Sequence, residues 1–313
     1  MAQSLRVDVG DVAPAGVRSL AVDVHEPESL GERAVVCVCV PGGGMSRGYF
    51  DLQPPPALGN YSMARHLAER GFVVVTVDPP AVGESDAPDD GYTLTPEVVA
   101  DVNAHAVEQV LARWPDALRL GIGHSAGALL TVVQQARHHT YAGLGLLGFG
   151  SGGHERFALS TDELGVGDDP DELRAAIVEL TRERFGRPLP RGSTATSEFL
   201  LGGMDVPEPA LEALGSVKSA LLAVVGLTSM IPGSIAREMA AVDVPVFLGL
   251  GEHDIAGDPH GIPALFTACR DLTLFVLPGT GHNHNVAPDR EVLWDRLALW
   301  ARGQAKPATA WGS

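Results

Sequence analysis

Residues 118 to 130 read LRLGIGHSAGALL. Leu118, Leu120 and Ile122 form a short apolar run directly ahead of Gly123-His124-Ser125-Ala126-Gly127, and a helix-forming run follows at once. The pattern predicts a strand, a sharp turn and a helix. A serine at such a turn takes a strained backbone conformation, and strand and helix must pass closely; Gly123 and Gly127 leave room for that crossing. The hydroxyl is then lifted clear of the sheet, with the N–H of Ala126 and the positive end of the helix aimed at whatever it attacks. In a chain with 37 glycines a Gly-x-Ser-x-Gly match also arises by chance in loops. The rest of the sequence therefore has to supply a base, an acid and an oxyanion site in a consistent order.

Outward from this stretch, strands alternate with helices. Residues 5–9 and 17–24 alternate weakly around Pro14-Ala15-Gly16, as an edge hairpin does. Residues 34–40 (AVVCVCV) are apolar throughout, as in a strand buried on both faces. That strand runs into Pro41-Gly42-Gly43-Gly44-Met45-Ser46-Arg47-Gly48-Tyr49-Phe50-Asp51. Consecutive glycines at a strand's carboxyl end can form an anion-binding nest of N–H groups, and no Gly-Lys-Ser/Thr follows that would make this a phosphate loop. An oxyanion loop is the better reading. A helix over 61–70 closed by Gly71, a strand over 72–77, a turn-rich loop over 78–86, and a helix opened by Thr95-Pro96-Glu97 come next. The helix after Ser125 runs to about His139, and 144–149 forms a further strand ending in Gly150-Ser151-Gly152-Gly153. This rhythm predicts a doubly wound, mostly parallel α/β sheet with its site at the carboxyl ends of the strands.

Between 154 and 241 the rhythm changes to helical pieces, over 171–185, 208–225 and 234–241, with Gly/Pro-rich links. The expected organisation is a core of 1–153 and 242–313 with a helical cap, 154–241, inserted between two core strands. Phe185, Phe199, Leu200, Met204, Leu227 and Met230 are candidates to line an apolar pocket beneath it. The sheet resumes over 244–250, followed by Glu252-His253-Asp254, a helix over 259–269, a strand over 272–277, and Gly279-Thr280-Gly281-His282-Asn283-His284. A last helix over 288–302 is expected to bury Val292, Leu293, Leu297 and Trp300, with a frayed tail from Gly303.

Composition bounds the function. The chain has 313 residues, 45% hydrophobic, with a net charge of −17. That charge repels nucleic acid and anionic membrane surfaces at long range. No stretch approaches the ~18 apolar residues of a membrane span, and no signal-peptide pattern opens the sequence. Cys37, Cys39 and Cys269 read as buried reduced thiols, which suits a cytoplasmic protein. The other histidines (His25, His66, His105, His138, His139, His154, His260) lack metal-ligand spacing, so neither a metal nor a cofactor is expected.

A serine hydroxyl needs a base within hydrogen-bond reach, and a neutral imidazole needs a partner that fixes its tautomer. C-terminal to Ser125, Asp254 and His282 follow successive strands. In these segments the chain resembles the α/β-hydrolase family, serine esterase type with a cap. GHSAG resembles its nucleophile elbow, PGGGMSRGYFD its oxyanion loop, DPPAVGESD the glycine-bearing loop after the next strand, GEHD its acid turn and GTGH its histidine loop. The resemblance implies Ser125 as nucleophile, His282 as base, Asp254 as its orienter, and N–H groups of Ala126 and of Gly43 or Gly44 as the oxyanion hole. Where many members have His-Gly this chain has Pro41-Gly42, so Met45 stays open as the second donor. Glu252 and Asp258 are rival acids, although Asp258 before Pro259 reads as a helix N-cap, and His284 is a rival base. His124 and His253 read as supporting residues.

Such a site implies hydrolysis of small to medium, fairly apolar carboxylic esters through an acyl-enzyme. With Arg47 beside the oxyanion loop as a carboxylate holder, phthalate monoesters are one candidate class; a solvated Arg47 is the simpler alternative. The same residues fit a C–C bond hydrolase of aromatic degradation, a thioesterase or an acyltransferase. A hydrolase-fold ligand-binding protein is the non-enzymatic alternative. The expected partner is a small-molecule ester, and a homo-oligomer is compatible with the sequence.

Overall fold

β1 (Gln3–Asp8) and β2 (Ser19–His25) pair antiparallel, as the edge hairpin expected from the sequence. β3 (Val35–Val40), β4 (Val73–Val77), β5 (Leu118–His124), β6 (Gly143–Leu147), β7 (Val246–Gly251) and β8 (Leu272–Leu277) continue the sheet in parallel. The order is β1-β2-β4-β3-β5-β6-β7-β8, with β2 antiparallel to β4. This computed structural model describes residues 2–150, 169–191 and 196–305. The predicted Ser151-Gly152-Gly153 turn, residues 154–168 and 192–195 of the expected cap, and the tail from 306 lie outside the described residues.

Alternation along the strands sorts side chains into two cores. Val36, Val38, Val40, Val73 and Val75 face α2 (Pro96–Leu111) and α3 (Ala126–His138), whose Val99, Val102, Leu129 and Val133 join the same apolar cluster. Val35, Cys37, Cys39, Val74, Leu120 and Ile122 face the other way, clustering with Met63 and Leu67 of α1 (Met63–Ala68) and Leu293, Trp294 and Leu297 of α9 (Arg290–Gln304). A sheet covered on both faces favours near-continuous apolar strands, which is how β3 reads throughout and β4 reads but for Thr76, while β5 also carries Arg119 and His124. Thr95 and Ser62 cap their helices, accepting from the N–H groups of Val98 and Arg65.

Between β6 and β7 the described residues form α4 (Pro170–Phe185), α5 (Glu198–Leu201), α6 (Glu208–Ser216), α7 (Ala223–Met230) and α8 (Ala236–Ala241). The helix expected over 208–225 is broken. Residues 217–219 leave the helix to pair with the glycine loop: Ser46 N–H donates to the Val217 carbonyl (2.9 Å) and Ser219 N–H to the Gly44 carbonyl (2.8 Å). The short α5 was not expected.

Other expectations are corrected too. The helix expected over 259–269 is only a 3-10 turn at Ile262–Leu265. Pro259 and Pro263 lack the N–H groups an α-helical ladder would need, and Asp258 accepts from His260 N–H (3.0 Å) in a local turn, not as a helix cap. Cys269 is half-buried, whereas Cys37 and Cys39 are buried and all three are free. In α9, Val292 is 46% exposed; the buried stripe is Leu293, Trp294, Leu297, Trp300 and Ala301, and Val292 sits off it. Gly303 continues α9 instead of fraying.

The tightest constraint is where β5 gives way to α3. A Cβ at Gly127 would lie 2.2 Å from the Val40 carbonyl oxygen and 2.4 Å from that of Pro41; one at Gly123 would lie 2.4 Å from Ala128 Cα. These neighbours are backbone and cannot swing aside. Gly127→Ala is therefore expected to destabilise the protein by about 1–3 kcal/mol. Gly215→Ala, in α6 with nothing within 4 Å of the added Cβ, is expected to leave stability unchanged or raise it by up to ~1 kcal/mol. Paired denaturant titrations check both.

Candidate active site

At the end of β5, Ser125 has φ 53° and ψ −122°, a conformation that L residues rarely adopt. It is held there by its N–H donating to the Leu147 carbonyl (2.8 Å), while its own carbonyl accepts from Ala128 N–H (2.8 Å). Ala126 opens α3, so its N–H is one of those that a helix start leaves without an intrahelical acceptor. The glycine loop folds over this point. Met45 N–H donates to the Gly42 carbonyl (3.2 Å), closing a turn in which the N–H groups of Gly43 and Gly44 have no acceptor among the described residues. Gly44 has φ 76°, and a Cβ at Gly43 would lie 3.7 Å from the Ala126 Cβ. Gly43 and Ala126 are thus neighbours, with free N–H groups. Met45, expected as an alternative donor, has its N–H engaged in the turn, while the residue lines the adjoining cavity.

Asp254, in the turn after β7, receives two imidazoles. His282 Nδ1 lies 2.7 Å from Oδ1 and His284 Nε2 lies 2.9 Å from Oδ2. The N–H groups of Ala256 (3.1 Å) and Gly251 (3.3 Å) also donate to it. The Asp254 side chain is 2% exposed. Burial alone would favour its neutral form, but the charges and hydrogen bonds of His282 and His284 hold the carboxyl well below the usual carboxylate range. His284 therefore joins the acid from its second side, while His282 lines the cavity that also holds Ser125.

The rival acids lie elsewhere. Glu252 accepts from Gly279 N–H (2.8 Å) at the surface, and Asp258 is 75% exposed beside His260. His253 is exposed and joins the assembly through its backbone N–H, donated to the Thr280 carbonyl (2.8 Å).

His124 lies beneath this cluster, its ring 4.9 Å from that of His282 and 4.6 Å from that of Tyr49. Its Nε2–H donates to the His282 carbonyl (2.9 Å), which sets the tautomer and leaves Nδ1 buried without a hydrogen-bond partner. Burial foremost, with the neighbouring His282 and His284, drives its pKa well below the usual imidazole range, so the ring is neutral. Tyr49 anchors the histidine loop in turn: its carbonyl accepts from Asn285 Nδ2 (3.0 Å), and Asn285 Oδ1 accepts from Trp294 Nε1 (2.9 Å). Sequence reading did not single out Tyr49 or Asn285. Their only signal was membership of the two loops that the site needs.

Arg47 is corrected most sharply. Its side chain is 11% exposed and pairs with Asp23 (2.7 Å), Glu84 (2.5 Å) and the fully buried Asp78. It does not line the cavity beside Ser125 and is not available to hold a substrate carboxylate. Instead it ties the glycine loop to β2 and to the loop over 78–86. Asp78 also accepts the N–H groups of Arg47 (2.6 Å) and Glu84 (3.0 Å), and a Cβ at Gly83 would overlap its carboxylate.

Ser125 and His282 open onto a cavity of about 820 Å³, walled by Phe185, Phe199, Leu200, Leu227 and Met230 as expected. Met204 instead packs with the core cluster on the α1/α9 side. Leu200 of α5 also fixes the histidine loop, accepting from His282 N–H (2.9 Å). Among the described residues, no group of three or more His, Cys, Asp or Glu converges as a metal site would, and no helix is long and apolar enough to cross a membrane.

Comparison with known proteins places this geometry in context. A model described as "Alpha/beta hydrolase family" matches residues 37–293. No curated protein matches the chain. Among solved structures, a lipase in an open form aligns over 98% of this chain and 100% of its own, at 18% identity and a TM-score of 0.66. An esterase from Exiguobacterium antarcticum aligns over 96% and 100% (16% identity, TM-score 0.65), and a proline iminopeptidase from Mycobacterium smegmatis over 96% and 98% (20%, 0.62). Likeness at these identities is a likeness of fold, and the three names span different reactions.

Two outcomes test this geometry. His284→Phe leaves the buried Asp254 Oδ2 with only the longer Gly251 N–H contact (3.3 Å) and is expected to cost roughly 1–3 kcal/mol of stability, read by chemical denaturation. The low pKa values of His124 and of His25, also lowered mainly by burial, mean that below about pH 6.5 the unfolded chain binds protons that the folded one does not. Stability should be fully present above that pH and fall as pH drops below it. Melting temperatures at pH 7 and 5 should show the fall, and His124→Gln should reduce its size.

Proposed function

From the premise that the chain belongs to the alpha/beta hydrolase family, we propose that it is a serine hydrolase of small to medium, fairly apolar carboxylic esters. The observation that carries this reading is the pair Ser125 and His282 on one cavity, with His282 Nδ1 2.7 Å from a buried, ionised Asp254. In the proposed reaction Ser125 Oγ attacks the ester carbonyl carbon while His282 Nε2 takes the hydroxyl proton. Asp254 holds the ring in the tautomer that leaves Nε2 free and stabilises the imidazolium as it forms. The carbonyl oxygen gains charge beside the N–H groups of Ala126 and Gly43, each worth a factor of ~10² to 10³. Collapse expels the alcohol, which takes its proton from His282. Water, activated by the same imidazole, then releases the acid and restores Ser125.

Helices α4 to α8 are proposed as a cap that shapes the apolar cavity, between core segments 1–153 and 242–313. C–C cleavage, thioester hydrolysis and acyl transfer could use the same groups. The ester reading is preferred because lipases and esterases are prominent among the structural neighbours. Free thiols at Cys37, Cys39 and Cys269 are in keeping with a reducing, cytoplasmic setting.

Intact mass after a fluorophosphonate probe, with turnover of p-nitrophenyl acetate to octanoate, tests the reading. One adduct is expected on wild type and none on Ser125→Ala, with turnover lowered at least ~10⁴-fold in the variant. An unlabelled Ser125, or a variant that still turns over, contradicts it.

A further inference from the structure

Histidines aside, the cavity beside Ser125 has one charged side chain among its described lining residues, Arg184, in the last turn of α4. No carboxylate lines it among those residues. Arg187, Arg191 and Arg237 do not line the cavity, and three further cations of the region are engaged. Arg47 holds Asp23, Asp78 and Glu84; Arg174 holds Glu97 and Glu238; Arg182 stacks over Tyr92, 4.0 Å from the ring centroid, and approaches Glu179 (3.6 Å) and Asp90. Arg184 has neither an ion pair nor a hydrogen bond to any described residue, and it is exposed, which places it on the open side of the cavity.

The surroundings give this cation a selective role. A chain with a net charge of −17 repels anions at long range, so a carboxylate has little to gain along most of this surface. A guanidinium at the mouth of a mainly apolar cavity changes that locally, because its fork matches a carboxylate with two parallel hydrogen bonds. Ser197, also in the cavity lining, has a hydroxyl oxygen that is shielded from solvent and without a hydrogen-bond partner among the described residues. A ligand acceptor brought close would satisfy it. The other wall serine with a described hydrogen bond, Ser229, donates to the Gly226 carbonyl (2.7 Å). Phe185, Phe199, Leu227 and Met230 supply apolar surface to the lining that Arg184 shares with Ser125.

We propose that Arg184 binds a free carboxylate at the end of the substrate remote from the scissile bond. The preferred substrate is then an ester with an apolar spacer between the reacting carbonyl and a second, ionised carboxyl, such as a monoester of a dicarboxylic acid. The inference rests on the reading of Ser125 as the nucleophile for its reaction, but not for its binding step.

Binding is therefore measured where no turnover is needed. In the Ser125→Ala protein at pH 7.5, calorimetric titration compares the propyl monoamides of succinic, adipic and suberic acid with their methyl esters. The free acid of the best-fitting length is expected to bind about 10-fold more tightly than its methyl ester. That ratio should collapse toward one in Arg184→Gln, recover in part in Arg184→Lys, persist in Arg182→Gln, and shrink with added salt. Equal affinity of acid and ester, a ratio untouched by Arg184→Gln, or no binding of any acid overturns the proposal. Active wild type with p-nitrophenyl monoesters should show the same ratio in kcat/KM. If Ser125 fails to react with any ester while the Arg184-dependent ratio stands, the hydrolase reading fails and the anion subsite survives.

Discussion

Backbone passes backbone at the end of β5 with no room for a methyl group, and the position of Ser125 follows from that crossing. Gly127 sits against the carbonyls of Val40 and Pro41, and Gly123 against the first turn of α3. With strand and helix this close, the intervening residue turns the chain at φ 53°. The strain is local and is over-determined by the flanking hydrogen bonds and the buried sheet. The same contact fixes where the glycine loop leaves β3, and so brings Gly43 beside Ala126. The position of Ser125 and the meeting of Gly43 with Ala126 are two consequences of one packing constraint.

The electrostatics are arranged around two buried carboxylates with different partners. Asp254 is kept ionised by imidazoles on both oxygens, so neither oxygen is left facing an apolar wall. Asp78 is pushed toward its neutral form by burial, and Arg47 with two backbone N–H groups opposes that push. Removing one partner of such a buried group is costly. This is the physical reason that Arg47 is better explained as a fastener of the loops than as a substrate ligand. Its place beside the glycine loop made it a natural candidate in the sequence, yet Asp23, fifth in a strand whose sequence marks only a hairpin, was not a foreseeable partner.

What the sequence made legible is what depends on local chemistry. Continuous Val runs gave buried parallel strands, Thr95-Pro96 a helix start, and GHSAG the elbow. Asp254 and His282 could be placed because each follows a strand end. Three-dimensional competition hid the rest. Residues 217–219 abandon a helix that their composition permits because the glycine loop offers pairing partners from 170 residues away in the chain, roughly speaking. His284 could not be ranked against His282 until both were seen on opposite oxygens of one carboxylate. Arg184 stood out only when the described lining of the cavity was seen to hold no other arginine or lysine.

The proposed reaction needs Ser125 Oγ and the N–H groups of Ala126 and Gly43 to act on one carbonyl. A crystal structure of the protein phosphonylated by an alkyl fluorophosphonate reads this directly. The predicted result is a phosphorus bonded to Ser125 Oγ, its free oxygen about 2.7–3.1 Å from both N–H groups, and His282 Nε2 facing the leaving-group side. A phosphonyl oxygen turned away from both N–H groups, or phosphorus bonded to any other residue, would contradict it.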